Sequence, residues 1–118
     1  MQEMNLRNYA YIGDAIWEVF VREHTILQTN NSKDLHKLTT DKVKASYQSE
    51  LLKSIEEELS EEEHELARRG RNLSIPVARR SIQAEYRQAT AFEVLIGWWY
   101  LQDKNRLEYF FNKFEKNL

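Results

Sequence analysis

Apolar residues recur every three or four positions along most of the chain, which is the spacing of an amphipathic α-helix. The clearest example begins near residue 6 and ends near residue 27, with apolar residues at positions 9, 12, 16, 19 and 20 on one face. No stretch alternates between apolar and polar residues as a half-buried β-strand would. The pattern therefore predicts an all-α fold of five to seven helices.

Signals for helix ends divide the rest of the chain. Ser32 is predicted to begin the second helix, and Thr40 is a candidate cap where its periodicity is interrupted. Ser60 begins a capping box for a helix over 61–69, and Gly70 is predicted to be the C-cap of that helix. The next residues, 70–80, contain the only proline and are predicted to form an exposed loop. The last two helices are predicted over 81–102 and 105–114.

Length and composition limit the class of protein. The 118 residues suit one domain over 1–118, because most domains contain about 50 to 250 residues. Cysteine is absent, which excludes disulfides and thiol nucleophiles and is typical of a cytoplasmic protein. The start of the sequence resembles no export signal, and the longest apolar run, 94–101, is too short to cross a membrane. We therefore expect a cytoplasmic protein without a membrane partner.

The formal net charge of −2 conceals a segregation of charge along the sequence. Residues 50–65 contain eight glutamates and one lysine, whereas residues 68–87 contain six arginines and one glutamate. A protein with an acidic region and a basic band can meet a polyanion on one side only.

Two apolar helices each combine a glycine with an acid. Gly13 and Asp14 are adjacent in the first helix, and Gly97 follows Glu93 by one turn in the fifth. A glycine inside a helix costs about 1 kcal/mol relative to alanine, so these positions must need a missing side chain. Glycines on facing helices allow close backbone approach, which would bring Asp14 and Glu93 together.

Two carboxylates held together in a partly apolar setting repel each other unless a cation lies between them. Ligation by oxygen alone favours Mg²⁺, with Mn²⁺ as a substitute, and such an ion can polarise a phosphodiester and activate a water. The structural alternative makes Asp14 an N-cap and Glu93 a core glutamate paired with an arginine. Glu18, one turn after Asp14, is either an auxiliary ligand or a salt-bridge partner of Arg22.

These segments resemble the ribonuclease III family. The block over 11–15 resembles the signature helix of its catalytic domain, and 93–97 resembles its second acidic segment. The features of the short bacterial branch, Mini-ribonuclease III, recur in order at 10–16, 35–37, 43–48, 69–72, 86–87 and 90–93. The resemblance implies one helical bundle of the ribonuclease III catalytic-domain type, without the separate RNA-binding domain of the larger relatives.

The resemblance also implies an activity. The chain is expected to be a homodimeric, Mg²⁺-dependent endoribonuclease that cuts double-stranded RNA and leaves 5′-phosphates. Its expected substrate is the precursor of 23S ribosomal RNA, with a large-subunit ribosomal protein as a stimulating partner. Asp14 and Glu93 match the metal-binding catalytic acids of the family. Where larger relatives have three further acids, this chain has Arg7, Ala10 and the auxiliary position Thr90, so the number of metals stays open.

Double-stranded RNA is recognised mostly through its phosphates and 2′-hydroxyls. Guanidinium groups fork onto phosphate, which makes the clustered arginines the predicted RNA ligands: Arg68, Arg69, Arg71, Arg79 and Arg80. The alternative is that some of them neutralise the glutamates at 56–65. Because a single site must be doubled to cut both strands, we expect a homodimer, with Tyr9, Ile12 and Ile16 as candidate contacts.

Two rival interpretations remain at this stage. A non-catalytic binder of duplex RNA or of ribosome-assembly intermediates would bind RNA with a steep salt dependence and cut nothing with any divalent ion. A helical protein-interaction module would not bind RNA. The paired glycine and acid positions count against the second of these.

Overall fold

The computed structural model of the chain describes residues 4–73 and 80–118, although not the side chains of Arg80 and Ser81. Within those ranges the chain forms six α-helices and no strand, which confirms the predicted all-α fold. The helices are α1 (Leu6–Thr25), α2 (Ser32–Val43), α3 (Ala45–Ile55), α4 (Glu61–Arg71), α5 (Arg80–Gln102) and α6 (Lys104–Glu115), with a 3₁₀ turn at Glu56–Glu58 after α3.

Helix α5 is the centre of the fold and packs against α1, α3, α4 and α6. Its residues 91, 92, 94–96 and 99 are all buried, so most of its circumference is covered by other helices. Trp17 of α1 packs edge-on against Phe92 of α5 and Phe114 of α6, with ring centroids 5.1 and 5.7 Å away. None of the helices in the described ranges is long and apolar enough to span a membrane.

Several helix ends differ from the predictions. Helix α2 begins at Ser32, as predicted, and its N-cap is the preceding Asn31, whose side chain accepts hydrogen bonds from the amides of Lys33 and Asp34. The break between α2 and α3 falls at Lys44, so Thr40 lies inside α2 and caps nothing. At this break the buried Trp17 indole donates to the carbonyl of Lys42, which is one of the carbonyls left over in the last turn of α2.

The capping box at α4 is confirmed, but the predicted C-cap is wrong. The Ser60 side chain accepts from the Glu63 amide, and the Glu63 carboxylate accepts from the Ser60 amide. Gly70 lies inside α4, one residue before its end, and packs against Ala91 of α5. The predicted loop over 70–80 therefore starts within a helix, and its residues 74–79 lie outside the described part of the chain.

Candidate active site

Helices α1 and α5 contact each other backbone to backbone at two glycines. A Cβ atom placed on Gly13 would overlap the carbonyl oxygen of Glu93, and one placed on Gly97 would overlap the carbonyl oxygen of Tyr9. Each glycine thus leaves a space that the facing backbone fills, which confirms the close approach predicted from the sequence. The contact fixes the backbone positions from which the side chains of Asp14 and Glu93 extend.

Asp14 and Glu93 are hydrogen-bonded to each other across this contact. Asp14 lies in the middle of α1, so it is not an N-cap, and the hydrogen-bond partners that set the pKa of Glu93 are Asp14 and Gln48, not an arginine. Burial, followed by the hydrogen bond and charge of Asp14, raises the pKa of Glu93 to about 8, and the hydrogen bond from Gln48 opposes this rise. The Glu93 carboxyl therefore holds a proton at neutral pH as long as no cation joins the pair.

The pair faces a pocket of about 330 Å³ that is open to solvent. Besides the two acids, its walls are formed by Arg7, Ala10, Tyr11, Leu73 and Thr90. The Tyr11 side chain is 84% exposed. A ligand can thus approach the carboxylates from outside.

The donor atoms of the pair fit a divalent cation that prefers oxygen. Among the described residues no three histidine, cysteine, aspartate or glutamate side chains form a metal-binding group. A site with two carboxylates therefore suits Mg²⁺, which usually keeps several waters and takes one or two protein carboxylates with substrate phosphate. A cation between Asp14 and Glu93 would also remove the repulsion that holds the pKa of Glu93 high.

The two predicted auxiliary residues, Glu18 and Thr90, make different contacts. Glu18 accepts a hydrogen bond from Arg22 at 3.0 Å, so it forms the salt bridge that was the alternative to metal ligation. The Thr90 hydroxyl lies in the pocket and donates to the carbonyl of Tyr86 at 2.9 Å. Of the two, Thr90 alone lies beside the acids.

The predicted RNA-binding arginines are only partly described. Arg68 and Arg69 line a second depression of about 440 Å³, which shares Leu73 with the pocket of the acids. Arg68 also forms an ion pair with Glu65 at 2.5 Å. This contact agrees with the alternative that some of these arginines neutralise the glutamates at 56–65. The backbone carbonyl of Arg71 accepts a hydrogen bond from Arg87. Arg79 and the side chain of Arg80 lie outside the described residues.

One of the candidate dimer contacts was wrongly chosen. Tyr9 is 2% exposed within a single chain, because it faces α5 beside Gly97, and so it is not available on the surface. Ile12 and Ile16 are half-buried. The exposed large apolar side chains on α1 are Tyr11 and Val19.

Gln48 belongs to the segment over 43–48 that resembles the family, but the residue pattern did not assign it a place in the site. It is 2% exposed, and its amide reaches the Glu93 carboxyl from α3 and opposes the rise in the pKa of that group. The signal that could have found it is its place in the apolar stripe of α3, one turn before the buried Leu51 and Leu52. A polar residue at such a position needs a buried hydrogen-bond partner.

The chain matches the family model of the ribonuclease III domain over residues 7–104. It is 41% identical to a Mini-ribonuclease 3 from Gloeobacter violaceus, with 91% of this chain and 79% of that protein covered. It is 37% identical to a Mini-ribonuclease 3 from Enterococcus faecalis, with 94% and 88% covered. The crystal structure of a Fusobacterium nucleatum protein superposes with a TM-score of 0.86 at 32% identity, over 98% of this chain and 95% of that one. The matched ranges include both acids of the pair.

Proposed function

The chain belongs to the ribonuclease III family of double-stranded RNA endoribonucleases, and we propose that it hydrolyses RNA phosphodiesters at the Asp14–Glu93 pair with Mg²⁺ as cofactor. The observation that carries this proposal is the hydrogen-bonded pair of carboxyls at the base of an open pocket. Glu93 is bonded there to a second acid and a neutral amide, an arrangement that costs stability unless a cation is bound. Such a cost is typical of a site built for function.

Asp14 and Glu93 are the residues that would hold the ion, with Mn²⁺ as a substitute. When bound, such an ion polarises a phosphodiester and makes water a nucleophile at neutral pH. The chain contributes the position of the two acids, which the backbone contact at Gly13 and Gly97 fixes. Positions held by main-chain contact need little rearrangement when substrate arrives.

The other pocket residues are suited to receive a phosphate backbone. Arg7 places a cation in the same pocket as the acids, where a guanidinium can bind a phosphate oxygen. Thr90 is short, which keeps the pocket wide, and its hydroxyl oxygen can accept a hydrogen bond while it donates to Tyr86. The adjoining depression beside Arg68 and Arg69 provides a path for the strand past Leu73.

The proposal includes a homodimer, because one pocket cuts one strand and a duplex has two strands related by a twofold axis. Half-buried Ile12 and Ile16, together with exposed Val19, supply apolar surface on α1 for this contact. Sedimentation equilibrium is expected to give twice the chain mass of 14.2 kDa. A single-chain mass at the concentration used for cleavage would contradict the dimer.

The natural substrate we propose is a stem of the 23S ribosomal RNA precursor, with a large-subunit ribosomal protein as a stimulating partner. We expect the purified protein to cut such a stem in Mg²⁺ or Mn²⁺, to leave 5′-phosphates, and to stop when EDTA is added. Gel analysis of end-labelled RNA measures the cuts, and ligation of the products tests for the 5′-phosphate. Binding of the stem without cleavage in any divalent ion would instead identify a non-catalytic duplex-RNA binder.

The arginines of α4 are expected to contribute to binding and not to the chemical step. In the double variant Arg68→Ala and Arg69→Ala, affinity for duplex RNA should fall on the order of 10-fold, with a salt slope smaller by about 0.7 to 0.9 for each lost phosphate contact. The maximal rate at saturating RNA should not change. Arg22→Ala is the matched control, since Arg22 is also on the surface and paired with a glutamate but lies two turns beyond Asp14. Equal losses in both proteins would contradict the assignment.

A further inference from the structure

Gln48 is a polar side chain enclosed by the core. It is 2% exposed, and it shares the buried stripe of α3 with Leu51, Leu52 and Ile55. Burying an amide is unfavourable unless it is hydrogen-bonded, and the Gln48 amide lies close enough to the carboxyl of Glu93 on the facing helix α5 to oppose the rise in the pKa of that carboxyl. An amide at this depth is therefore aimed at the functional acid.

A fully buried glutamate elsewhere in the chain, Glu63, shows what a purely structural arrangement looks like. Glu63 is 4% exposed and accepts hydrogen bonds at 2.9 Å from Arg106 and at 2.8 Å from the indole of Trp99. Its charge is balanced by the guanidinium, and the pKa of its carboxyl lies below the usual range despite burial, because Arg106, the Ser60 amide and Trp99 all bond to the carboxylate. At Glu93 the neutral amide of Gln48 takes the place that the guanidinium of Arg106 has at Glu63.

We infer that Gln48 is a positioning residue, which holds the Glu93 carboxyl at the pocket by a neutral hydrogen bond and leaves its charge for a divalent cation. This inference rests on the proposed function, since it assigns a purpose to the metal-binding pair. A lysine or arginine in place of Gln48 would fix the carboxylate equally well but would compete with the cation. An apolar residue would leave the carboxylate free to rotate towards Asp14 or into solvent.

The inference is tested by direct binding of Mn²⁺ to the intact protein without RNA. The electron paramagnetic resonance signal of free Mn²⁺ measures how much of the ion is bound. Gln48→Met keeps the volume and removes the hydrogen bond, and we expect the dissociation constant for Mn²⁺ to rise about 10- to 100-fold, as for other residues that orient a metal ligand. In Mg²⁺, kcat should fall while the KM for RNA stays unchanged. Gln48→Lys should bind no Mn²⁺ at all although the protein remains folded.

The matched control is Gln88→Met, which makes the same change at a half-buried glutamine of α5 whose side-chain oxygen has no hydrogen-bond partner in the described part of the chain. It should leave Mn²⁺ affinity unchanged. If Gln48→Met does not fold, Gln48→Asn replaces it, because the shorter side chain keeps the amide but withdraws it from Glu93. Gln48→Met and Gln48→Asn should each lower the affinity of the protein for Mn²⁺.

The two levels of the argument fail differently. If the wild-type protein neither binds Mn²⁺ nor cuts RNA, the proposed function is wrong. If the wild-type protein does both, and Gln48→Met or Gln48→Asn binds Mn²⁺ as tightly as wild type, Gln48 only fills the core. A loss of the same size in Gln88→Met would likewise overturn the specific role of Gln48.

Discussion

Asp14→Asn and Glu93→Gln are each expected to reduce cleavage of duplex RNA on the order of 10³-fold, which is the upper range for removing one preorganised charged contact. The amides keep the shape and the hydrogen-bonding capacity of the acids, but they remove the charge that attracts a divalent cation. Binding of the RNA should persist, because the proposed phosphate contacts of Arg7, Arg68 and Arg69 are made by other side chains than the two acids. Single-turnover cleavage and a filter-binding titration in Ca²⁺ measure the two quantities separately.

Glu93→Gln should at the same time stabilise the metal-free protein at pH 8. The pKa of this carboxyl is about 8 in the folded chain and near the ordinary 4.5 when unfolded. Between these values the unfolded chain has lost the proton and the folded chain retains it, so stability decreases as the pH rises from about 4.5 to about 8. Glutamine does not ionise, and its amide can accept from Gln48 and donate to Asp14.

Calorimetry in EDTA is the corresponding measurement. At pH 8 the Tm of Glu93→Gln should exceed that of wild type by at least about 4 °C, whereas at pH 4.5 the two should agree closely. Adding Mn²⁺ should raise the Tm of wild type and leave that of the variant unchanged. Cleavage that survives in either amide variant would refute the assignment of the pair, and a destabilised Glu93→Gln at pH 8 would refute the electrostatic account.

Gly13→Ala is expected to cause the largest loss of stability. The added methyl group would overlap the carbonyl oxygen of Glu93, which belongs to the backbone of α5 and cannot rotate away. Overpacking usually costs about 1 to 3 kcal/mol, and a rigid neighbour should place this substitution at about 3 kcal/mol or above. Thermal unfolding should show a decrease in Tm of about 10 °C or more, and cleavage should be lost with it.

Gly70→Ala is the matched control for that experiment. Gly70 is also a buried helical glycine facing α5, but its added methyl group would lie 3.0 Å from the Cα atom of Ala91 and 3.4 Å from the side chain of Val94. The helix preference of alanine, about 1 kcal/mol over glycine, should offset most of this crowding. Equal losses at Gly13 and Gly70 would show that the contact between α1 and α5 can adjust.

The sequence could predict the part of the site in which an unfavourable helical residue and a chemically suitable side chain lie close together along the chain. A glycine inside an apolar helix is unfavourable by itself, and Gly13 and Gly97 each stand near an acid, so their pairing could be inferred without coordinates. The capping box at Ser60 was predictable because all its partners lie within one turn. Helix ends that depend on distant partners were not predictable. At Lys44, for example, the indole of Trp17 donates to a carbonyl of the preceding turn.

The contacts of Glu63 and Glu93 show the same limit. The sequence predicts Glu63 only as half of a capping box, because its guanidinium partner, Arg106, follows 43 residues later. Gln48 was placed correctly in a helix, but its bond to Glu93 depends on how α3 packs against α5. The burial of Tyr9 depends in the same way on the packing of α1 against α5, so the sequence pattern alone does not distinguish it from a surface residue.

The interlocking of α1 and α5 through Gly13 and Gly97 has a consequence for how this molecule can vary. Because main-chain atoms set the separation of the two acids, exchanges among the aliphatic and aromatic side chains of the interior are largely decoupled from the geometry of catalysis. Variants with a rebuilt interior should therefore retain activity for as long as they fold, whereas one methyl group at either glycine is enough to abolish it.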